Sequence, residues 1–248
     1  MADGKWTGKL GKISRLFAII ALILAGVGLT LARYNLVDKL DGFYGMLIGA
    51  LIAAVACVIA VISLLMSLKG KGTSRAPAII ALVLAVPFVA FIASRPAAAD
   101  GAPAIHDITT DLASPPQFQT LTVREDNLAG VDTVENWKDI HSAAYGDIKP
   151  LLLNRSVSDV TIAAHSLAQE QEWDIAAFDP AAGRIEATDF VSYIRFEDIV
   201  VIEVTASQDN NGSVVNVRSV SQLGISDLGV NAKRIRAFLA DLETRLAI

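Results

Sequence analysis

The chain has 248 residues, 21 Lys/Arg against 26 Asp/Glu, a formal net charge of -5 and a single cysteine. Its acidic balance argues against a nucleic-acid partner, whose phosphates would be repelled, and one cysteine excludes an intramolecular disulfide. A mean hydropathy of +0.47 averages two unlike parts: ten Lys/Arg and three acids precede Asp100, whereas 11 Lys/Arg and 23 acids lie from Asp100 onward, a net charge of -12.

The N-terminal tail, 1–15, is basic. Three stretches then follow without an ionisable residue, at 16–32, 42–68 and 76–94. A helix crosses a bilayer core with about 20 apolar residues, so the region 16–95 reads as a three-helix transmembrane anchor. The first run is longer than the apolar segment of a cleaved signal peptide, about 7–15 residues, and is read as an uncleaved span. Orientation follows from Lys and Arg in the short loops. Lys5, Lys9, Lys12, Arg15, Lys69, Lys71 and Arg75 fall on one side, and only Arg33, Lys39 and Arg95 on the other. The N-terminus is therefore expected in the cytoplasm and the C-terminal part in the periplasm of a bacterium, anchored in the inner membrane.

Proton relays and ion paths retain charged groups inside the membrane; these spans carry none and read as an anchor. Gly45, Gly49, Ala53 and Cys57 recur every fourth residue and form a smooth strip on the second span. Such a strip admits another backbone closely. Packing within the chain is the favoured use, with a homodimer through Gly45, Gly49 and Ala53 as the alternative.

Residues 96–104, rich in Ala and Pro, read as a linker, and 105–248 as one folded domain. A strand is expected at 120–123 and a helix at 132–144 around Trp137. A further strand is expected at 148–153. Ser156 three residues before Asp159 is a capping-box spacing that opens a helix over 157–171. Trp173 and Ile175 begin an alternating strand, and the turn 179–183 leads into a second over 184–190. Strands at 199–205 and 214–220 flank an Asn211-Gly212 turn, and the last helix runs over 231–246.

The expected fold is a three-span helical anchor plus an α+β domain, with an antiparallel four-stranded sheet and two helices packed on one face. Trp173, Ile175, Ile185, Ala187, Val200, Ile202, Val204, Val215 and Val217 would line the helix-facing side. Arg184, Glu186, Thr188, Glu203, Thr205, Asn216 and Arg218 would form an open polar face. On that face Arg218 is expected to pair with Glu203.

Two motifs carry a resemblance. His106, Asp107 and Asp111 stand in Ile-His-Asp-Ile-Thr-Thr-Asp, followed by Pro-Pro-Gln-Phe at 115–118, and the run 218–235 reads RSVSQLGISDLGVNAKRI. Together they resemble the two signatures of domain-of-unknown-function family 1499. The resemblance implies a bacterial protein with plastid relatives, often fused to membrane spans; it implies no activity, cofactor or catalytic residue.

The second motif supplies the first candidate cluster, for a ligand or for helix capping: Arg218, Ser219, Ser221, Ser226, Asp227, Asn231 and Arg234. His106, Asp107 and Asp111 form the second. The segment Gly-Ile-Ser-Asp-Leu-Gly at 224–229 resembles a nucleophile elbow but is one residue too long, and every histidine precedes its serine, against the hydrolase order. Ser226, Asp227 or Asn231 is expected to cap the last helix instead. His106, Asp107, Asp111, His141 and His165 have no recognised metal-ligand spacing, so neither metal nor cofactor is expected.

The functional expectation is a membrane-anchored envelope protein whose outer domain binds a protein or lipid partner. Its alternative is a membrane-bound enzyme acting on an envelope substrate, which His106, Asp107 and Asp227 converging in one pocket would favour.

Overall fold

The structure, a computed structural model, describes residues 2–69, 74–98, 101–208 and 211–247; Lys71 and Asp100 of the sequence reading lie outside them. The chain divides into two compact units, Met1–Ala98 and Ala99–Ile248.

The first unit consists of α1 (Ala2–Arg33), α2 (Lys39–Lys69) and α3 (Ala76–Ala98). Each contains a window long and apolar enough to cross a membrane: Trp6–Arg33, Lys39–Leu68 and Ala76–Arg95. Lipid offers no hydrophobic drive to helix association, so close packing of small residues has to supply it. The buried centre is accordingly alanine: Ala18 and Ala21 of α1, Ala53, Ala56 and Ala60 of α2, and Ala78, Ala81 and Ala85 of α3. Leu51, Val58 and Val83 point outward.

The small-residue strip is used inside the chain. A Cβ on Gly49 would stand 2.7 Å from the Ala21 carbonyl oxygen, and one on Gly42 would stand 2.6 Å from that of Gly28. Gly45 approaches Gly28, and Ala53 is fully buried. Gly42, Gly45 and Gly49 thus meet the backbone of α1, which supports the favoured use of the strip, packing within the chain.

The second unit runs β1 (Asp107–Thr109), α4 (Val134–Tyr145), β2 (Leu151–Leu153), α5 (Val157–Glu170), β3 (Asp174–Asp179), β4 (Arg184–Val191), β5 (Phe196–Ala206), β6 (Ser213–Ser221) and α6 (Val230–Leu246). The sheet is antiparallel in the order β1-β6-β5-β4-β3, and β2 also pairs with β6. It therefore has six strands rather than four, and three helices rather than two share its core. β5 occupies one edge of β6 over its whole length, while β1 and β2 take successive stretches of the other, at 218–220 and 213–215.

The four expected strands lie where periodicity placed them. Asp179 Oδ1 accepts from the Ala181 and Ala182 amides to turn β3 into β4. Gly183 closes that turn at φ +68, where a Cβ would fall 2.0 Å from the Val204 oxygen, so only glycine fits. Ser156 caps α5 by accepting from the Asp159 amide at 3.1 Å. Trp173 stacks on Phe238 of α6 at 5.1 Å between centroids.

The expected strand at 120–123 does not form. Its backbone donors are committed elsewhere: Gln119, Thr120 and Leu121 give their N–H groups to the Glu186 carboxylate at 2.7, 3.0 and 2.8 Å. Segment 111–131 is thereby strapped across the outer sheet face. That face is not open, because Glu186 is 0% exposed and Val201 and Val220 beside it are buried. Thr205 and part of Glu203 stay in solvent.

The core of the second unit draws only on its own elements, so residues 101–248 produced alone should fold. We expect a soluble chain with a single cooperative urea transition followed by tryptophan fluorescence; a broad, non-cooperative loss of signal would show that the helical region completes the fold.

Candidate functional site

β1 is a three-residue strand on the sheet edge, bonded to β6 through His106, Ile108 and Thr110, so the backbone groups of Asp107 and Thr109 point away from the sheet. An edge of this kind costs stability unless its polar groups are covered. α4 covers them with side chains one turn apart: Trp137 Nε1 donates to the Asp107 oxygen at 2.9 Å, and the Thr109 amide donates to His141 Nε2 at 3.1 Å. Thr133 caps this helix, and its Trp137, His141 and Tyr145 rings meet edge-on. Burial pushes the His141 pKa down despite the Asp107 carboxylate, in keeping with a neutral ring that accepts at Nε2.

On the outer face, Arg218 of β6 meets Asp107 in a bidentate pair, Nε to Oδ1 at 2.9 Å and Nη2 to Oδ2 at 2.7 Å. Arg218 also donates to the Pro116 oxygen, and Asn127 donates to Asp107 Oδ2. The expected Arg218–Glu203 pair is not made; Glu203 faces Arg184 at 3.5 Å, because Asp107 reaches Arg218 first from the neighbouring strand. Arg184 also bonds Glu186 and the Gln117 oxygen. Burial opposes the Glu186 charge, yet the Leu121, Gln119 and Thr120 amides and Arg184 hold its carboxyl below the ordinary range.

On the helix-facing side, the alternation that buries Val215 and Val217 continues into Ser219 and Ser221, as that of Val200 extends to Asp198 and that of Ala187 to Asp189. Asp189 stands directly opposite Asp198 in the register, a like-charge pair that is unfavourable alone. Arg234 neutralises both, Nε to Asp189 at 2.8 Å and Nη2 to Asp198 at 2.7 Å, and donates to Ser219 and Asn231. Asn231 bridges further, accepting from Ser219 and donating to Ser221 and the His106 oxygen. Removing one partner of a buried pair typically costs about 3–5 kcal/mol.

Asp227 fastens the start of α6: Oδ1 accepts from Gly229 at 2.9 Å and Oδ2 from Asn231 at 2.6 Å. Burial raises its pKa against these two bonds. Ser226 accepts from the Leu228 amide, and Asp111 holds a local turn through the Ala113 and Ser114 amides. Asp111 thus stands outside the network. The others of the two clusters, apart from Ser226, join one buried system around β1, β6 and the start of α6. Asn127, Trp137, His141, Asp189 and Asp198 complete it. The sequence signal for the last two was a carboxylate where an apolar residue was due in the alternation.

Within this system His141 Nδ1 has no hydrogen-bond partner, and His106 goes further. It is 2% exposed, and neither ring nitrogen has a hydrogen-bond partner; Asn127 Oδ1 beside it is also unpaired. Both line a closed crevice with Ile105, Asp107, Ala129, Val131 and Trp137. Asp227 touches this region through its backbone, whose N–H donates to the Ile105 oxygen, while its carboxylate is committed to α6. His165 stacks on Phe178 elsewhere. Among the described residues, no group of three or more His, Cys, Asp or Glu side chains is placed to hold a metal ion.

The sequence pattern of the family described as protein of unknown function (DUF1499) matches residues 107–242, from the first residue of β1 into α6 and over more than half of the chain. The chain belongs to this family. No curated protein matches it.

Asp227→Ala should lower stability by about 0.5–2 kcal/mol through the lost cap, and Asp227→Asn, which keeps an acceptor, by less. The wild-type carboxyl titrates above its ordinary 3.8, so the stability tied to its protonation is full below that value and lost as pH rises through the raised pKa. The urea midpoint of wild type should accordingly fall relative to that of Asp227→Asn as pH climbs from 3.8, narrowing the variant's deficit; parallel profiles would contradict the assignment.

Proposed function

We propose that this DUF1499 protein is a membrane-anchored envelope protein of the bacterial inner membrane whose folded domain, on the periplasmic side, binds a protein or lipid partner and catalyses no reaction. The observation that carries the reading is a contrast within one signature. Arg218, Gln222, Asp227, Asn231 and Arg234 of it are committed to internal partners, and Lys233 is left in solvent. Leu223, Ile225 and Leu228 between them are 37%, 55% and 56% exposed. Single exposed apolar residues are ordinary, but three on one short loop make a patch of the kind that marks interaction sites. The seven-to-three distribution of Lys and Arg in the tail and loops supports the orientation.

A second reading, a membrane-bound enzyme acting on an envelope substrate, is favoured by His106, a buried imidazole with unpaired nitrogens beside Asn127 Oδ1. Against it, Asp227 is spent on capping α6.

In a deletion strain whose phenotype the wild-type chain restores, replacing Leu223, Ile225 and Leu228 together by Ser should abolish rescue at unchanged protein level. His106→Leu, which removes the unpaired polar atoms, should rescue fully; the reverse pattern would transfer the function to the His106 crevice. For orientation, an alkaline phosphatase fused after Ile248 should be active and one fused at Arg75 inactive, and the opposite pair of results would overturn the periplasmic assignment.

A further inference from the structure

We infer that the partner of the 222–229 loop is the lipid surface itself: Leu223, Ile225 and Leu228 enter the headgroup layer of the membrane that holds the anchor. The inference rests on the binding reading above and narrows it to one ligand.

The first ground is where the chain enters the domain. The loop lies against the first residues of the second unit: Ser226 Oγ donates to the Pro103 oxygen, the Asp227 amide to the Ile105 oxygen, and Gly229 abuts Ala102. The apolar window of α3 ends at Arg95. Seven residues lead from Arg95 to Ala102, and even fully extended they reach no more than about 25 Å. The covalent chain alone therefore keeps this loop close to a bilayer surface. Leu152, Ile162 and Phe178 are also exposed, but they stand singly on separate elements.

The second ground is the absence of opposing charge. Residues 222–229 include one ionisable group, Asp227, and its carboxylate is turned inward onto α6. A domain rich in acids would be repelled by anionic headgroups, so contact has to come from apolar insertion; the exposed Asp126 carboxylate beside the loop is neutralised by Arg124, which holds the Gly224 oxygen.

The third ground is a backbone built to present these side chains. Leu228 sits at φ +55 and Gly224 at φ +88, and a left-handed leucine is disfavoured without outside support. Support comes from Ser226 and Asp227, which accept from the Leu228 and Gly229 amides, and from Arg124, which holds the Gly224 oxygen. The loop's backbone is thus held by hydrogen bonds where it exposes leucine, which lowers the ordering cost of insertion.

The test uses the full chain carrying Cys57→Ala, with Ile225→Cys labelled by an environment-sensitive fluorophore, in phosphatidylethanolamine/phosphatidylglycerol vesicles. Val83→Cys on α3 serves as the reference within lipid, and Gln169→Cys on α5 as the reference in water. We expect the label at position 225 to be blue-shifted, to lose most of its emission to brominated acyl chains and to resist iodide, like that at 83. Adding Leu223→Ser and Leu228→Ser should return it to the behaviour of position 169. Shielding from iodide without quenching by brominated lipid would mean a protein contact, overturning the lipid assignment while leaving the binding reading intact. Free access of iodide at 225 would overturn the lipid assignment; the binding reading would fall with it only if the triple Ser variant also rescued the deletion strain.

Discussion

Arg234 is the residue on which the arrangement of the domain turns. The sheet register sets Asp189 opposite Asp198 on the helix-facing side, two carboxylates where the neighbouring rows carry Ala187 and Val200. That row cannot be buried unless a cation stands over it, and α6 must dock with Arg234 above β4 and β5 to provide one. Once it does, Asn231, one turn earlier, lies over Ser219, Ser221 and the His106 oxygen. The same docking brings Phe238 onto Trp173. A hydrophobic face alone would let α6 slide along the sheet; three directional bonds from one guanidinium to Asp189, Asp198 and Ser219 set a single position, in keeping with the view that buried polar groups specify geometry more than they add stability.

The outer face solves the same problem with a loop. Arg184, Glu186 and Arg218 would be a solvated row on a bare sheet, yet segment 111–131 crosses them and supplies its own backbone as partner. Glu186 takes three amides, while Arg184 and Arg218 take the carbonyls of Gln117 and Pro116. An irregular segment carries unpaired backbone donors and acceptors, and a face of charged side chains can absorb both kinds. The pairing makes the strap stable without secondary structure of its own, and it carries Asn127 onto Asp107 and over the crevice at His106.

Much of this was legible in the sequence, and the failures share a cause. The three membrane helices, α5, the β3–β4 turn, the long strands and α6 follow from hydropathy, capping and period-2 alternation, all local properties. β1 could not be seen because three residues carry no period, and its edge is completed by Trp137 and His141 from another helix. The strand expected at 120–123 has suitable residues, but its amides are claimed by Glu186, some 65 residues away in the chain. Arg218 was placed on the correct face and given the wrong partner, since the edge strand bearing Asp107 was missing from the reading. The capping role of Asp227 was readable because it acts within four residues. The membership of Asp189 and Asp198 in the site was not, because a carboxylate on a strand reads as solvent-facing until a cation from a distant helix is known to cover it.

The two units differ in what they leave uncommitted. In the helical unit the polar groups serve packing: Ser63 donates to the Thr7 oxygen across the α1–α2 contact, and Ser14 and Ser67 bond back to their own helices. Alanine and glycine surfaces carry no chemistry that distinguishes one ligand from another. In the folded domain, Arg218 and Arg234 are spent on the ion pairs that position the strap and α6, and Asp227 on the backbone amides at the start of α6. Folding has no use for Leu223, Ile225 and Leu228, whose exposure costs hydrophobic stabilisation, and it holds Leu228 in a left-handed conformation besides. His106 is unpaired in the opposite sense, a polar group buried without reward. A fold that satisfies its buried guanidinium groups so fully spends backbone strain on leaving Leu223, Ile225 and Leu228 exposed on the loop between β6 and α6.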